Sequence, residues 1–341
     1  TQPFLLPFQV SRSHFANHYH CDPWASPQSV FVIRDWQGVK TEADFVSTLR
    51  VFRRRIYSAG GQVSCGGIGE VCTREDFRRK GLVRRLFHEV EKSMEEEDLE
   101  LLSLHSSQMV AVYQSMGFRS VPLPIVGRRF EVQAARSQGQ TEKQAIIHAA
   151  DLENDALVDE LIKVHHSFHN GRFEGVVVRD RKQYWSVWMK SCMEDSGFWL
   201  ERVADVKADG QDTGHGEKSG DKRKHKCPNV SAFFTMKTDK KGQGFYVADF
   251  FAAESEVRLD GGKNSFEALL QYALRQRGVD SASVKMPKVC ADEMKGLICE
   301  TDEGFFSEVD EGFMYQLKSG DLGIQDKVQD HKHLFWPIDG F

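Results

Sequence analysis

The sequence predicts an α/β (α+β) protein made of two tandem units, each with a mixed central sheet flanked by helices. Residues 1–132 alternate short β-type segments with segments of helical periodicity. A similar order returns loosely after residue 145, and a polar stretch over 134–144 separates the two parts. We therefore expect a first unit over 1–132, a second unit over 145–318 and a C-terminal tail over 319–341.

The composition is that of a soluble protein with enough length for two domains, since 40% of the 341 residues are hydrophobic and 28% are charged. The net charge of -5 gives no reason to expect a nucleic-acid partner. Seven scattered cysteines, an odd number, favour a reducing compartment and a cytoplasmic location. No apolar run is long enough to span a bilayer, so no membrane partner is expected, and a homo-oligomer is left open.

In the first unit, apolar segments predict strands over 30–33 and 45–57, with cationic residues such as Arg50 at outward positions of the second strand. A Gly-Gly turn leads into a third strand that ends near residue 72. Apolar residues at helical spacing predict a helix over 79–96. A strand over 99–105 and a short helix over 108–116 follow, and Gly117 has the position of a helix C-cap.

In the second unit, the pattern predicts helices near 152–164, 184–193 and 266–275, and strands near 198–203, 230–236, 245–251 and 283–286. Residues 207–227 are polar and rich in glycine, which is typical of a mobile loop.

The turn before the helix over 79–96 is suited to a pyrophosphate. It carries Arg78, Arg79 and Lys80, and then Gly81. Consecutive N–H groups at a helix N-terminus bind anions, glycine lets a phosphate approach the backbone, and cations add charge-assisted hydrogen bonds. Residues 250–260, the matching part of the second unit, are acidic, so we expect one phosphate site per chain.

These residues resemble a known family. Arg78-Arg79-Lys80-Gly81-Leu82-Val83 resembles the Arg-x-x-Gly-x-Gly/Ala signature of the GNAT superfamily of acyl-CoA-dependent N-acyltransferases. Tyr113-Gln-Ser-Met-Gly-Phe118 resembles the Tyr-x-x-x-Gly-Phe that ends the same fold. Val83 departs from the signature, but the enhanced intracellular survival (Eis) branch of tandem GNAT proteins looks similar at that position. Fungal lysine N6-acetyltransferases also look similar in the first unit.

The resemblance covers roughly residues 29–317 and is strongest over 66–118. It implies two GNAT-like units, with acetyl-CoA as co-substrate of the first and no CoA motif in the second. From the short tail after Tyr315 we expect no sterol-carrier-like third domain of the kind that the Eis branch carries. By this resemblance, the cofactor is held by the following residues: Val71, Cys72, Thr73, Arg78, Arg79, Lys80, Gly81, Leu82, Val83, Arg84, Ser107 and Gln108.

Acyl transfer from a thioester to an amine needs a proton acceptor for the amine and a proton donor for the leaving thiolate. The resemblance assigns the donor to Tyr113, with a packed ring and a solvated hydroxyl as the alternative. By the same resemblance, the carboxylate of Phe341 is the candidate acceptor, and the alternative is an aromatic tail that only packs. No metal is expected: His18, His20 and Cys21 lie close together, but no second cluster has ligand spacing.

The sequence thus predicts an N-acetyltransferase that acts by direct attack on a primary amine of a cationic small molecule, of the lysine, polyamine or aminoglycoside type. Acidic residues in the second unit favour a cationic amine if they line the cleft, and a solvated acidic surface is the alternative. These residues are Asp249, Glu254, Asp302, Glu303, Glu308, Asp310 and Glu311. An inactive scaffold of the same fold and a protein lysine acetyltransferase are the alternatives. Cys72 is expected to be a small buried residue beside the cofactor.

Overall fold

A computed structural model describes residues 11–35, 44–58, 61–132, 142–146, 149–192, 201–205, 230, 232–238, 244–318 and 334. The predicted loop over 207–227 lies outside these residues, as does the predicted tail over 319–341 apart from Leu334. None of the helices in the described segments is long and apolar enough to cross a membrane.

The first sheet has the strand order β1-β2-β3-β4-β13-β5 among the described residues. Its strands are β1 (Val30–Arg34), β2 (Phe45–Ser58), β3 (Gly61–Thr73), β4 (Leu101–His105), β5 (Arg119–Ser120) and β13 (Phe313–Leu317). Only β3 and β4 are parallel neighbours in it, and helix α2 (Leu82–Glu96) connects them. Helix α1 (Arg12–His20) precedes the sheet, and helix α3 (Val110–Gln114) follows β4.

The second sheet has the order β12-β6-β11-β10-β9-β8-β7 over the same described segments. Its strands are β6 (Leu123–Glu131), β7 (Glu142–Ile146), β8 (Glu201–Asp205), β9 (Ala232–Thr238), β10 (Gly244–Ala252), β11 (Ser281–Pro287) and β12 (Phe306–Asp310). Its parallel neighbours are β10 and β11, joined through helices Glu254–Asp260 and Lys263–Gln276. Helix α4 (Asp155–His169), the π-helix Tyr184–Met189 and helix Lys288–Glu293 complete this unit.

The two units exchange one strand each. β6 pairs with β11 and β12 of the second sheet, although it lies before residue 132. β13 pairs with β4 and β5 of the first sheet, although it lies near the end of the predicted second unit. The limits 1–132 and 145–318 therefore cut across both sheets, because strand pairing over long sequence separations leaves no local signal in the chain.

Two hydrophobic cores result from this arrangement. The first lies between α2 and the first sheet, where Leu86, Phe87 and Val90 of the helix pack on Leu49 and Leu102. The second is larger and continuous between the units. Its members include Phe52 and Ile56 of β2, Trp185 and Trp188 of the π-helix, and Phe233 of β9. The α2 face agrees with the predicted helical periodicity, which the structure places at 82–96 rather than 79–96.

The opposite face of β2 corrects one expectation. Arg50 was expected to point outward, but it is buried, as is Arg54. Both guanidinium groups face the second core and its aromatic rings, with the Arg54 carbon 5.1 Å from the Trp188 ring centroid. From the sequence alone, a cationic side chain is expected at the surface. Here the buried carboxylate of Asp22 makes the burial of both guanidinium groups possible.

Two histidines are also buried in the second unit. His165 and His169 are adjacent on one face of α4, with ring centroids 4.2 Å apart. His169 donates its Nδ1 proton to the carbonyl of His165 over 2.9 Å. Burial is the main reason that the pKa of each ring lies well below 6.5, and the positive charge of Arg179 lowers both further.

We predict that this pair makes the protein sensitive to acid. Both rings stay neutral in the folded state below pH 6.5, whereas unfolded histidines take up protons there, so the free energy of unfolding falls as the pH falls. The two rings together give a slope of up to about 2.7 kcal/mol per pH unit. Urea unfolding between about pH 8 and about pH 5 measures it, and a His165→Gln/His169→Gln variant should show a flatter curve. Equal slopes in the two proteins would contradict this account.

Candidate functional site

The parallel strands β3 and β4 separate soon after they pair. Their hydrogen-bonded register includes Gly66 with Leu102 and ends at Gly67 with Ser103. Beyond this point β3 continues along β2 to Thr73, whereas β4 follows β13. No described strand fills the gap, so a wedge opens between the two strands, and the residues 68–73 of β3 line one side of it.

A β-bulge in β3 accompanies the separation. Thr48 of β2 faces Cys72 and Arg50 faces Gly69, so Leu49 alone lies opposite two residues, Glu70 and Val71. Glu70 has a positive φ of 54°. A bulge bends its strand and increases the local twist, which directs the end of β3 away from β4.

The turn between β3 and α2 has the geometry of an anion site. Arg79 has a φ of 62° and Gly81, the N-cap of α2, has a φ of 74°. No side chain caps the helix, so the N–H groups of its first turn, from Leu82 and Val83 onward, are available to a ligand. Together with the positive end of the helix dipole, these groups favour a phosphate.

Cationic side chains surround this turn. Arg79 and Lys80 are exposed, and Arg78 donates from Nε to the carbonyl of Thr73 over 3.3 Å. Arg84 reaches across to the end of α3, where it donates to the hydroxyl of Ser115 over 3.2 Å. A cavity of about 460 Å³ begins at Gly81 and extends along the outer face of α2. The cavity could therefore hold more of an anionic ligand than one phosphate.

Tyr113 is on α3, on the side of the wedge opposite to β3. Its ring is half-buried and packs edge-on against Phe87 and Phe118, with ring centroids 5.9 and 6.1 Å apart. Burial raises the pKa of its phenol above 10.0, so the group stays protonated at neutral pH. Its hydroxyl has no hydrogen-bond partner among the described residues.

The remaining predicted site residues are placed as follows. Val71 and Thr73 are half-buried on the free edge of β3, and the Thr73 hydroxyl lies 2.8 Å from that of Ser47. Cys72 is exposed, so the expectation of a small buried residue is wrong, because the bulge turns its side chain outward. Ser107 and Gln108 are exposed between β4 and α3. Phe341 lies outside the described residues.

A buried ion-pair network lies beside the bulge, on the face of the first sheet away from α2. Asp22 accepts from Arg50 over 2.7 Å and from Arg54 over 2.9 Å, and the side chains of all three are at most 1% exposed. Glu70 accepts from Arg50 over 3.4 Å and lies 2.8 Å from Nδ1 of His18. The network thus ties α1 to β2 and to the bulge of β3.

A second pair, at the wedge, leaves no local signal in the sequence. His105, the last residue of β4, has its Nε2 3.0 Å from a carboxylate oxygen of Asp310, which ends β12. The imidazole lies against the ring of Phe313, with centroids 4.5 Å apart, and 40% of the side chain is exposed. No local pattern joins two residues 205 positions apart, and the pairing of β13 with β4 brings them together.

Of the acidic residues expected near the cleft, Asp310 lies at the end of β4. Asp249 instead forms a buried ion pair with Arg179, and Glu254 pairs with Arg258 at the surface. Asp302 lies 3.5 Å from Arg128. Fewer of these acidic residues therefore lie at the wedge than the composition of this region indicates.

The matching turn in the second unit is blocked. Asp260 caps helix Lys263–Gln276 itself, by accepting from the N–H groups of Gly262 (2.9 Å) and Asn264 (3.0 Å). The backbone carbonyl of Glu293 covers Gly261 so closely that no Cβ would fit there. The N–H groups that α2 leaves open are thus occupied here by a carboxylate.

Comparisons with known proteins agree with this geometry. Residues 6–121 match the family model of the acetyltransferase (GNAT) domain. No curated protein sequence matches the chain. Among solved structures, a GCN5-related N-acetyltransferase from Anabaena variabilis is similar over 91% of this chain and 67% of its own, at 14% identity and a TM-score of 0.58. The N-myristoyltransferase of Saccharomyces cerevisiae with bound myristoyl-CoA is similar over 94% and 78%, at 13% identity and a TM-score of 0.53.

The fold class is confirmed: both sheets are mixed, flanked by helices, and belong to a pair of GNAT-like units. A GCN5-related N-acetyltransferase from Kribbella flavida matches over 82% of this chain at 13% identity and a TM-score of 0.51, and the chain spans 59% of its length. Eis1 from Mycobacterium abscessus is also similar, at 14% identity over 82% of this chain and 63% of its own, with a TM-score of 0.48.

We predict that the network beside the bulge depends on Asp22. Asp22→Asn keeps the size of the side chain but removes the negative charge that pairs with both buried guanidinium groups. We expect the free energy of unfolding to fall by about 3 kcal/mol. Asp76→Asn is the matched control, because Asp76 forms an exposed pair with Arg74. Urea unfolding of both variants measures the difference. An Asp22 variant as stable as the control would show that the network contributes nothing to the free energy of unfolding.

Proposed function

Since residues 6–121 carry a GNAT acetyltransferase domain, we propose that this protein transfers an acetyl group from acetyl-CoA to a primary amine of a cationic small molecule. One observation carries the proposal: an open anion site, the free edge of β3 and a protonated tyrosine surround the same wedge. These are the groups that an acyl transfer from a CoA thioester requires.

In this proposal the pyrophosphate binds at the turn between β3 and α2. Arg79, Lys80 and the first N–H groups of α2 receive its oxygens, with Gly81 allowing the close approach. The cavity along the outer face of α2 supplies further polar groups, such as Arg84. Ser107 and Gln108 contact the cofactor from the side of α3.

The pantetheine arm and the thioester lie against β3 from Val71 to Thr73. The backbone groups there have lost their neighbouring strand, so they are free to pair with the amides of the arm and to polarise the thioester carbonyl. Backbone dipoles are already fixed by the pairing of β3 with β2, and no side-chain entropy is lost when they bind.

The reaction is a direct attack. The amine nitrogen adds to the thioester carbonyl, the carbon–sulfur bond then breaks, and Tyr113 gives its proton to the departing thiolate. The raised pKa of Tyr113 keeps that proton in place until the thiolate forms. The proton of the amine goes to a base, for which the carboxylate of Phe341 is the predicted group.

A cationic amine is supported by the charge near the wedge. Asp310 and Glu308 lie on one face of β12. Burial raises the pKa of the Tyr246 phenol, and the negative charges of these two carboxylates raise it further. A carboxylate at the end of β4 attracts a protonated amine and repels an acidic one.

The test is to incubate the protein with acetyl-CoA and a panel of L-lysine, spermidine and kanamycin, and to follow acetylated products by mass spectrometry. We expect a product from at least one cationic amine and none from glutamate, which serves as the acidic control. Binding of acetyl-CoA without any product would favour the scaffold alternative.

We predict that Arg79→Ala/Lys80→Ala weakens the binding of acetyl-CoA by about 10- to 100-fold, because two charge-assisted contacts are lost. Alanine tolerates a positive φ no better than arginine does, so the turn itself changes little. Isothermal titration calorimetry measures the affinity. The control is Lys92→Ala, near the far end of α2, where the amine pairs with Glu89. Unchanged affinity in the double variant would place the phosphates elsewhere.

We predict that Tyr113→Phe lowers kcat by about 100-fold, the usual size of a general-acid contribution, and leaves the affinity for acetyl-CoA nearly unchanged. The ring keeps its contacts with Phe87 and Phe118, so the fold is preserved. Steady-state kinetics with the accepted amine provide the measurement. A variant with normal kcat would leave Tyr113 as a packing residue.

A further inference from the structure

His105 and Asp310 are placed where an incoming amine meets the wedge. β4 pairs with β3 up to Ser103, so His105 lies two residues, or roughly 7 Å, beyond the point where the strands separate. Side chains alternate along a strand, so His105 shares the face of Ser103, which points away from α2. Ser103 lies 3.2 Å from the sulfur of Cys65 on that face. The imidazole is thus at the open side of the wedge, across from the α2 cavity.

The hydrogen bond to Asp310 fixes the tautomer of the ring. A carboxylate accepts, so Nε2 of His105 carries the proton and donates it over 3.0 Å. Asp310 is held in turn by the N–H of Gly312, over 2.8 Å. The neutral ring therefore has its lone pair on Nδ1. Within the described residues, no group donates a hydrogen bond to that nitrogen.

This arrangement contains the parts of a general base with its positioning residue. Asp310 orients the ring and stabilises the imidazolium once a proton has been taken up. The ring is 40% exposed, so it can reach a substrate and return the proton to solvent. Contact with Phe313 on one side limits its rotation.

A second carboxylate–histidine pair, His18 with Glu70, is less suited to this role. Nδ1 of His18 is engaged by Glu70, and the ring is packed against Trp188 and Phe52, with centroids 4.7 and 5.2 Å apart. Glu70 also faces the guanidinium of Arg50, so its charge is balanced within the ion-pair network.

We propose that His105 is the general base of the reaction and that Asp310 positions it. The inference rests on the proposed acetyl transfer and names its missing proton acceptor, in place of the Phe341 carboxylate. As the amine nitrogen forms its bond to the thioester carbon, Nδ1 of His105 takes the ammonium proton, directly or through one water. The carbon–sulfur bond breaks, and the thiolate receives the proton of Tyr113.

The strand exchange explains why this base consists of residues from both units. Asp310 ends β12 in the second sheet, and three residues later Phe313 begins β13 in the first sheet. The short crossing between the sheets is what places the carboxylate beside the last residue of β4. The first unit alone contains His105 but lacks Asp310.

The charged and titratable groups around His105 are few in the described part of the chain. From β12 comes Asp310, and from β13 comes Tyr315, which lines the same small cavity and stays neutral because burial raises its pKa. Glu174 lies in the segment that packs on this cavity, next to Gly175. Asp310 is the group that hydrogen-bonds to the ring.

The test compares His105→Ala with wild type and with His20→Ala, an exposed histidine of α1. Acetyl-CoA and the acetylated member of the amine panel are the substrates. We expect kcat/KM of the His105 variant to fall by about 100-fold and added imidazole to restore part of the rate. His20→Ala should behave as wild type. Asp310→Asn should lower kcat/KM by about 10-fold, with normal affinity for acetyl-CoA.

The outcomes separate this inference from the proposed function. No turnover by the wild type overturns the acetyl transfer, and the base with it. Wild-type turnover with an unaffected His105 variant overturns the base alone and leaves Phe341 in that role. A His105 variant that is inactive, not rescued by imidazole and unable to bind acetyl-CoA would show a merely structural link between the sheets, which also overturns the inference.

Discussion

The separation of β3 from β4 is the constraint on which the rest of the site depends. Two parallel strands that part after Gly67 and Ser103 leave backbone groups without partners, and a protein normally satisfies such groups. Here they face the wedge between the two strands. The N–H groups of the turn between β3 and α2 lie at one end of the wedge, and His105 lies at the other end. A ligand that runs through the wedge can pair with all of them.

The second unit shows that the same topology need not form a site. β10 and β11 are parallel and have a common register only as far as Tyr246 with Lys285, and β10 has an irregularity between Val247 and Asp249. Yet the buried ion pair of Asp249 with Arg179 lies beside that irregularity. The fold of the unit is therefore kept although Asp260 occupies the N–H groups of its turn, and the function belongs to residues rather than to topology.

A feature of this protein could be predicted from the sequence where its signal lies within a few neighbouring residues. It could not be predicted where it depends on contacts between distant segments. The helical periodicity of α2 is encoded within a few residues, and the helix was predicted with an error of three residues at its start. The prediction for α3 was wrong at its end, because the helix is Val110–Gln114 with Ser115 as its C-cap rather than 108–116 with Gly117. The exchange of β6 and β13 depends on pairing between distant segments, which leaves no local signal in the sequence. The burial of Arg50 depends on Asp22, a partner 28 positions away. The pair of His105 and Asp310 needed both the exchange and the register of β13.

The buried network beside the bulge is better understood as a positioning device than as a source of stability. Burying two guanidinium groups costs several kcal/mol per ion before any attraction is counted, and the attraction to Asp22 and Glu70 roughly offsets that cost. The contribution of the network is to hold the backbone of β3 in a particular conformation. Glu70 has a positive φ that a residue with a side chain rarely adopts, at a cost of about 1 kcal/mol or more. Such a conformation persists only where surrounding contacts hold it, and His18 and Arg50 supply them. Since the bulge at Glu70 bends β3 away from β4, the contacts that hold this carboxylate also hold the wedge open.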